Sequence, residues 1–146
     1  ELQLLYSDEN FSVPANVYII GMMNTADRSL AMLDYALRRR FSFFTMKPGF
    51  NAPGFQAYQD SLKSDDFNKL IACVKQLNSK IAEDISLGEG FCIGHSYFCS
   101  LTPETANTQT LSSIVEYELI PLLKEYWFDE PANVIDWGDR LRSAVK

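Results

Sequence analysis

Apolar side chains at Phe67, Leu70, Ile71, Val74, Leu77, Ile81 and Ile85 follow three- and four-residue steps, the spacing of one face of an amphipathic helix. Gly88 and Gly90 bracket its exit. Residues 90–98 then mix small and aromatic side chains and read as an extended segment. A last long helix is predicted from Leu111, Val115, Leu119, Leu122, Leu123 and Tyr126. Pro121 should kink or break it, because proline cannot donate the bond to the carbonyl of Tyr117. Asp129, Glu130 and Pro131 end that helix, and Val134, Trp137 and Leu141 predict a short terminal one.

The first fifty residues follow a different rhythm. Val17, Tyr18, Ile19, Ile20, Gly21, Met22 and Met23 form an unbroken run, as in a strand covered on both faces of a parallel sheet. Upstream, two short apolar stretches (residues 2–6 and 11–13) flank the turn-forming Ser7, Asp8, Glu9 and Asn10, predicting a hairpin. Downstream, Leu30, Leu33, Leu37 and Phe41 recur at helical spacing, and residues 41–46 read as a second strand. Pro48, Gly49, Pro53 and Gly54 crowd the next few positions and mark a boundary between two substructures, 1–50 and 51–146.

Between the buried strand and the helix lies the polar loop Asn24, Thr25, Ala26, Asp27, Arg28 and Ser29; the helix closes on Arg38, Arg39 and Arg40. In open α/β sheets, ligands sit beyond the carboxyl ends of the strands. A polar loop there, with guanidinium groups one helix away, is the layout expected for nucleotide hydrolysis. No glycine stands in a Gly-Lys-Ser or Gly-Lys-Thr context, so a phosphate-cradling loop is missing.

Charge narrows the partners. The net charge is −6, but residues 1–50 balance five acids with five bases. Residues 51–146 carry fourteen acids against eight bases and hold the whole deficit. An acidic half does not suit nucleic acid, whose phosphates need clustered Lys and Arg. Any contact with DNA is expected to come from a further domain or a partner. No apolar run approaches the roughly 20 residues of a membrane span, and no secretion signal opens the sequence. The expectation is a soluble cytoplasmic protein with no membrane contact. Cys73, Cys92 and Cys99 are an odd number without CxxC spacing, which fits a reducing compartment. Cys92, His95 and Cys99 could suggest a metal site. On a strand, however, Cys92 would face away from the other two, and a fourth ligand is wanting. Buried, inert cysteines are the expectation, with no metal.

The segment from Met23 through Ser29, followed by residues 34–41 (Asp34, Tyr35, Ala36, Leu37, Arg38, Arg39, Arg40, Phe41), resembles the McrB family. These are GTP-hydrolysing AAA+ motor subunits of modified-cytosine restriction systems. Ile93, Gly94, His95, Ser96, Tyr97 and Phe98 also match, as do residues 121–128, so the likeness runs over nearly the whole chain. The Walker A loop and acidic Walker B strand of such motors are not found, nor is the family's DNA-reading N-terminal domain. The resemblance implies α/β plus all-α: the end of an α/β nucleotide-binding subdomain (1–50), then a helical lid (51–146).

It also implies roles. Asn24 stands where AAA+ proteins place a polar sensor; its carboxamide can donate to a γ-phosphate oxygen while accepting from a water. A turn leaving a strand is the plainer alternative. Asp27 could orient the attacking water or cap the helix, and the two are compatible. Arg28, Arg39 and Arg40 are candidates for stabilising transferred phosphoryl charge, the latter two on a neighbouring subunit's nucleotide. A solvated basic helix terminus is the alternative. Arg38 suits a pair with Asp34, four residues earlier. His95, the only histidine, suits a hydrogen-bonded core position over a nucleotide contact or a lid hinge.

GTP and Mg²⁺ are implied for the longer protein, with none expected bound to this chain. The implied partners are copies of itself in a ring and an McrC-type endonuclease subunit. Two other readings stand beside this one: a non-catalytic lid and interface module, and a part of another AAA+ ATPase such as a MoxR-like remodelling factor. Residues 17–23, lacking neighbouring strands, are expected to expose edges and apolar surface, leaving the first fifty residues disordered, paired to another copy or rearranged. The portion after about Ala52 is expected to fold by itself.

Overall fold

The computed structural model describes residues 2–3, 10–23 and 35–146. The described part is mostly helical. A minimal antiparallel pair, β1 (Leu2–Gln3) and β2 (Asn10–Phe11), sets Leu2 opposite Phe11 and Gln3 opposite Asn10. The expected hairpin is therefore present in shortened form. A four-residue helix, α1 (Tyr35–Arg38), follows.

The two longer strands do not form. Residues 17–23 and 41–46 have no regular secondary structure. Their apolar side chains face solvent: Ile20 is 91% exposed, Met22 97% and Phe44 89%. The reason is physical. A fully apolar strand gains from burial between two layers and from ladder bonds on both edges. Among the described residues, no strand or helix supplies either.

From Phe50 onward the chain builds a helical body. α2 (Pro53–Leu62) starts with proline at its first turn, where the missing N–H costs nothing. It stops at Lys63, whose left-handed backbone (φ 50°) turns the chain. Ser64 then caps α3 (Asp65–Glu83), its hydroxyl accepting from the N–H of Phe67 at 3.3 Å. Asp65 and Asp66 in the first turn suit the positive end of the helix dipole. The predicted face holds: Phe67, Leu70, Ile71, Val74, Leu77 and Ile81 are all buried. Each contributes about 1.5–3 kcal/mol of burial. Ile85 departs from the expectation; the helix has ended, and the side chain is fully exposed.

Residues 90–98 are not extended. They carry two 3₁₀ turns, Glu89–Phe91 and His95–Phe98, after Gly88 takes a left-handed backbone (φ 82°). With no strand alongside, Ile93 finds its partner in a side chain. The Asn78 carboxamide donates to the Ile93 carbonyl (2.9 Å) and accepts from the Ile93 N–H (2.7 Å). Asn78 thus does for one residue what a neighbouring strand would do.

The last long helix is continuous but irregular. α4 (Thr108–Ile114), capped by Asn107, runs into a π turn (Val115–Leu119) and then into α5 (Ile120–Tyr126). The wide turn ends two residues before Pro121, where an α-helix would bring the ring against the carbonyl of Tyr117. α6 (Pro131–Ala144) packs on α3 and α5, burying Trp137 and Leu141. It is longer than the short helix expected. The core runs from Phe50 to Val145, with Trp127, Phe67 and Phe98 as its largest fully buried side chains. No described helix is long and apolar enough to cross a membrane.

Candidate functional site: a cleft beside the arginine segment

Three predicted site residues, Asn24, Asp27 and Arg28, lie outside the described residues, as does Asp34. Arg39 and Arg40 follow the end of α1 and are exposed. Arg38 is exposed as well, its guanidinium 5.7 Å from the centroid of the Phe43 ring, a cation–π approach. The helix end holds these cations where its carbonyl dipoles favour them.

Seven residues after Arg40 the chain meets the helical body at Lys47. There a cleft of about 370 Å³ opens between residues 45–48 and the segment from Ala82 to Ser96. Lys47 and Glu89 span it with an ion pair of 3.0 Å. Both side chains are more than 60% exposed, so water screens the pair and it adds at most about 1 kcal/mol.

The stronger tie lies at the floor. The Gly49 N–H donates to Nδ1 of His95 at 2.9 Å. An acceptor at Nδ1 requires the neutral ring with its proton on Nε2. A larger residue at Gly49 would displace the ring, because an added Cβ would stand 2.9 Å from Cε1 of the imidazole. The ring is half-buried and meets Phe50 and Phe55 edge-on, with centroids 6.2 and 5.7 Å away. His95 is therefore hydrogen-bonded and aromatic-packed, but half-buried at the edge of the core and not within it as expected, and it is the anchor of the entering chain.

Other polar ties brace the same end. The Tyr58 hydroxyl donates to the Phe98 carbonyl (2.7 Å) and accepts from the Leu101 N–H (3.0 Å), fixing the exit of the second 3₁₀ turn. At the opposite end of the 82–96 segment, Asp84 accepts from Ser86 Oγ (2.6 Å), from Ser86 N–H (2.8 Å) and from Trp127 Nε1 (2.8 Å). Those bonds, the Ser86 hydroxyl first, hold its carboxyl down at a pKa of about 2.

The cleft lacks the parts of a covalent hydrolase. Burial pushes the Cys73 and Cys92 thiols up, away from nucleophilic thiolate. Cys92 directs its Sγ to the Asn78 carbonyl at 3.6 Å. The expectation of buried cysteines is corrected: Cys73 and Cys92 are half-buried, and Cys99 is exposed, with Sγ 3.2 Å from the His95 carbonyl. No group of three or more His, Cys, Asp or Glu among the described residues could hold a metal ion.

Sequence reasoning missed Lys47, Gly49 and Glu89. Their signals were a lysine and a glycine directly after an apolar run, and a lone histidine preceded by a glycine.

The McrB alpha-helical lid domain matches residues 69–135, from α3 to the start of α6. The chain is 49% identical over 146 residues to the EcoKMcrB subunit of the type IV methyl-directed restriction enzyme of Escherichia coli K12. That match covers 94% of this chain and 32% of the relative. It is also 32% identical over 91 residues to the YdiS component of the type II restriction enzyme BsuMI of Bacillus subtilis 168, covering 58% of this chain and 26% of the relative. The chain thus spans about a third or less of the relatives it matches. The helical body, the lid match and the extent of the identity lead to one conclusion: the chain belongs to the McrB family and carries its helical lid.

Proposed function

We propose that this chain supplies the lid and the arginine-bearing segment of a GTP-hydrolysing AAA+ motor subunit in a modified-cytosine restriction system. The observation that carries the reading is the 49% identity to a methyl-directed restriction subunit over 94% of this chain. In this reading Asn24 and Asp27 act on the subunit's own GTP and Mg²⁺. Arg39 and Arg40, exposed at a helix end, reach the nucleotide of the next subunit in a ring. Arg28 is a further candidate for stabilising the transferred phosphoryl charge. The lid closes over the nucleotide from the other side, and an McrC-type endonuclease docks on the ring. DNA is read by a separate domain.

Phosphoryl transfer spreads charge over the γ-phosphate oxygens, and an arginine supplied in trans contributes about 10³–10⁵ in rate. Two variants of the full-length protein test this. Arg40→Ala should lower the GTPase kcat by at least about tenfold with GTP affinity retained. Mixing Asn24→Ala with Arg40→Ala subunits should restore part of the rate, because one intact site then forms between different subunits. No recovery on mixing would place both residues in one subunit's site and reject action in trans. A preference for ATP over GTP would move the chain to another AAA+ branch. The 146-residue chain alone should show no GTP binding by calorimetry, since the amides that cradle phosphates are not among its residues.

A further inference from the structure

The geometry points to a latch: the strap of residues 47–50 is held on the helical body by His95, and protonation of that imidazole releases it. This goes beyond the nucleotide reading and stands without it.

Three observations converge. The Gly49 N–H has one partner, Nδ1 of His95. The contact is close enough that no other residue fits at Gly49 without moving the ring. Phe50, the next residue, is only 3% exposed and meets Phe55 edge-on at 5.3 Å and Phe98 at 6.1 Å. The strap is therefore pinned by one acceptor and one buried ring, with only the water-screened Lys47–Glu89 pair beside them, while residues 41–46 before it are exposed.

An imidazolium has N–H groups at both nitrogens and no acceptor. Protonated His95 would turn an N–H toward the Gly49 N–H and leave both without a partner. The groups around the ring leave it to make this change. Lys47 and Glu89 on the cleft walls pair with each other. Tyr58, on α2, is committed to Phe98 and Leu101. The Cys92 and Cys99 thiols direct their sulfurs to backbone carbonyls. Phe50 and Phe55 carry no charge. His95 is thus the group on which this contact turns. Since the strap joins the arginine segment to the lid, its release would free the two to reorient.

Because the chain has one histidine, its ring signals in NMR are unambiguous. The 146-residue chain would be titrated from pH 8 to pH 5, following the His95 ring nitrogens and the exchange of the Gly49 amide, corrected for intrinsic pH dependence. At pH 8 the ring should be neutral with its proton on Nε2. Gly49 protection should fall about tenfold or more with the same midpoint as the ring. His95→Asn, whose carboxamide oxygen can stand in for Nδ1, should keep Gly49 protected at every pH. His95→Phe should leave it unprotected at every pH, with α3 amides unchanged in both variants. A proton on Nδ1 at pH 8, Gly49 protection constant through the titration, or wild-type pH dependence in His95→Asn would each overturn the latch.

Discussion

Asp84 shows how one side chain can join distant parts of this fold. It sits one residue past α3, accepts from Ser86 beside it, and reaches Trp127 at the end of α5. Trp127 is nearly fully buried, so its indole N–H needs a partner, and Asp84 is that partner. The bonds favour the carboxylate, which lowers its pKa in the folded chain to about 2. A depressed folded pKa contributes stability above the unfolded value near 4 and loses it as pH falls through the folded value. Asp84→Asn should therefore be less stable than wild type at pH 7, and the difference should shrink between about pH 4 and pH 2. Tryptophan fluorescence during urea unfolding at several pH values would measure it. A difference that stays constant down to pH 2 would remove Asp84 from the account. Asp66, Glu104 and Glu116 are also lowered, so only the comparison with the variant isolates Asp84.

At the scale of elements, the instructive case is the rod from α4 to α5. Its buried residues include Leu111, Ile114, Val115, Leu119, Ile120, Leu123 and Trp127. In an unbroken α-helix, four-residue steps drift by about 40° each, so Leu111, Val115, Leu119 and Leu123 would spiral off a common face. The π turn rotates less per residue and brings them back into line. Deleting Tyr117, which is 80% exposed, would restore three- and four-residue steps across the junction. The expected product is an α-helix kinked at Pro121 with both flanking faces still buried. Its melting temperature by circular dichroism should lie within several degrees of wild type. A one-residue deletion at Lys75 in α3 should instead abolish cooperative unfolding, because it rotates half of a buried face by about 100°. Unfolding of the Tyr117 deletion would show that the wide turn has another origin.

The same rod shows how far the sequence could be read. Pro121 announced an irregularity, and the repeated four-residue steps carried its phase. A wide turn and a kink answer proline equally well, however, and only the packing partner on α6 distinguishes them. Here the Arg142 guanidinium bonds the Glu116 carboxylate on the turn through Nε and a terminal nitrogen. α3 was fully legible because its face is decided by one periodic pattern, with Ile85 lost only where the cap at Asp84 ended the helix. Residues 90–98 were not, because Asn78 lies in a different element and nothing local records that it serves Ile93. The apolar run at 17–23 was read as a strand covered on both faces, whereas here it is irregular and exposed. The layers that would bury it are not among the described residues, and neither are Asn24, Asp27 and Arg28.

For the whole molecule, the division of labour is steep. Every described member of the buried core lies between Phe50 and Val145. A truncation beginning at Lys47, which keeps the strap and its latch, should unfold cooperatively with nearly the same midpoint as the full chain. It should also aggregate less, because it removes exposed side chains such as Ile19, Ile20, Met22 and Phe44. Urea denaturation and light scattering of the two forms would test both points. A loss of several kcal/mol on truncation would mean that the first third contributes packing beyond the core identified.

That imbalance would govern any survey of sequence variation in this chain. A library of random variants screened for soluble yield alone would be blind to positions 10–23, accepting polar replacements at Ile20 or Met22 as neutral or even beneficial. If the proposed function holds, the same replacements should be rejected once selection acts on the activity of the full-length protein. The gap between the two screens, position by position, would draw the outline of the surface these residues cover there.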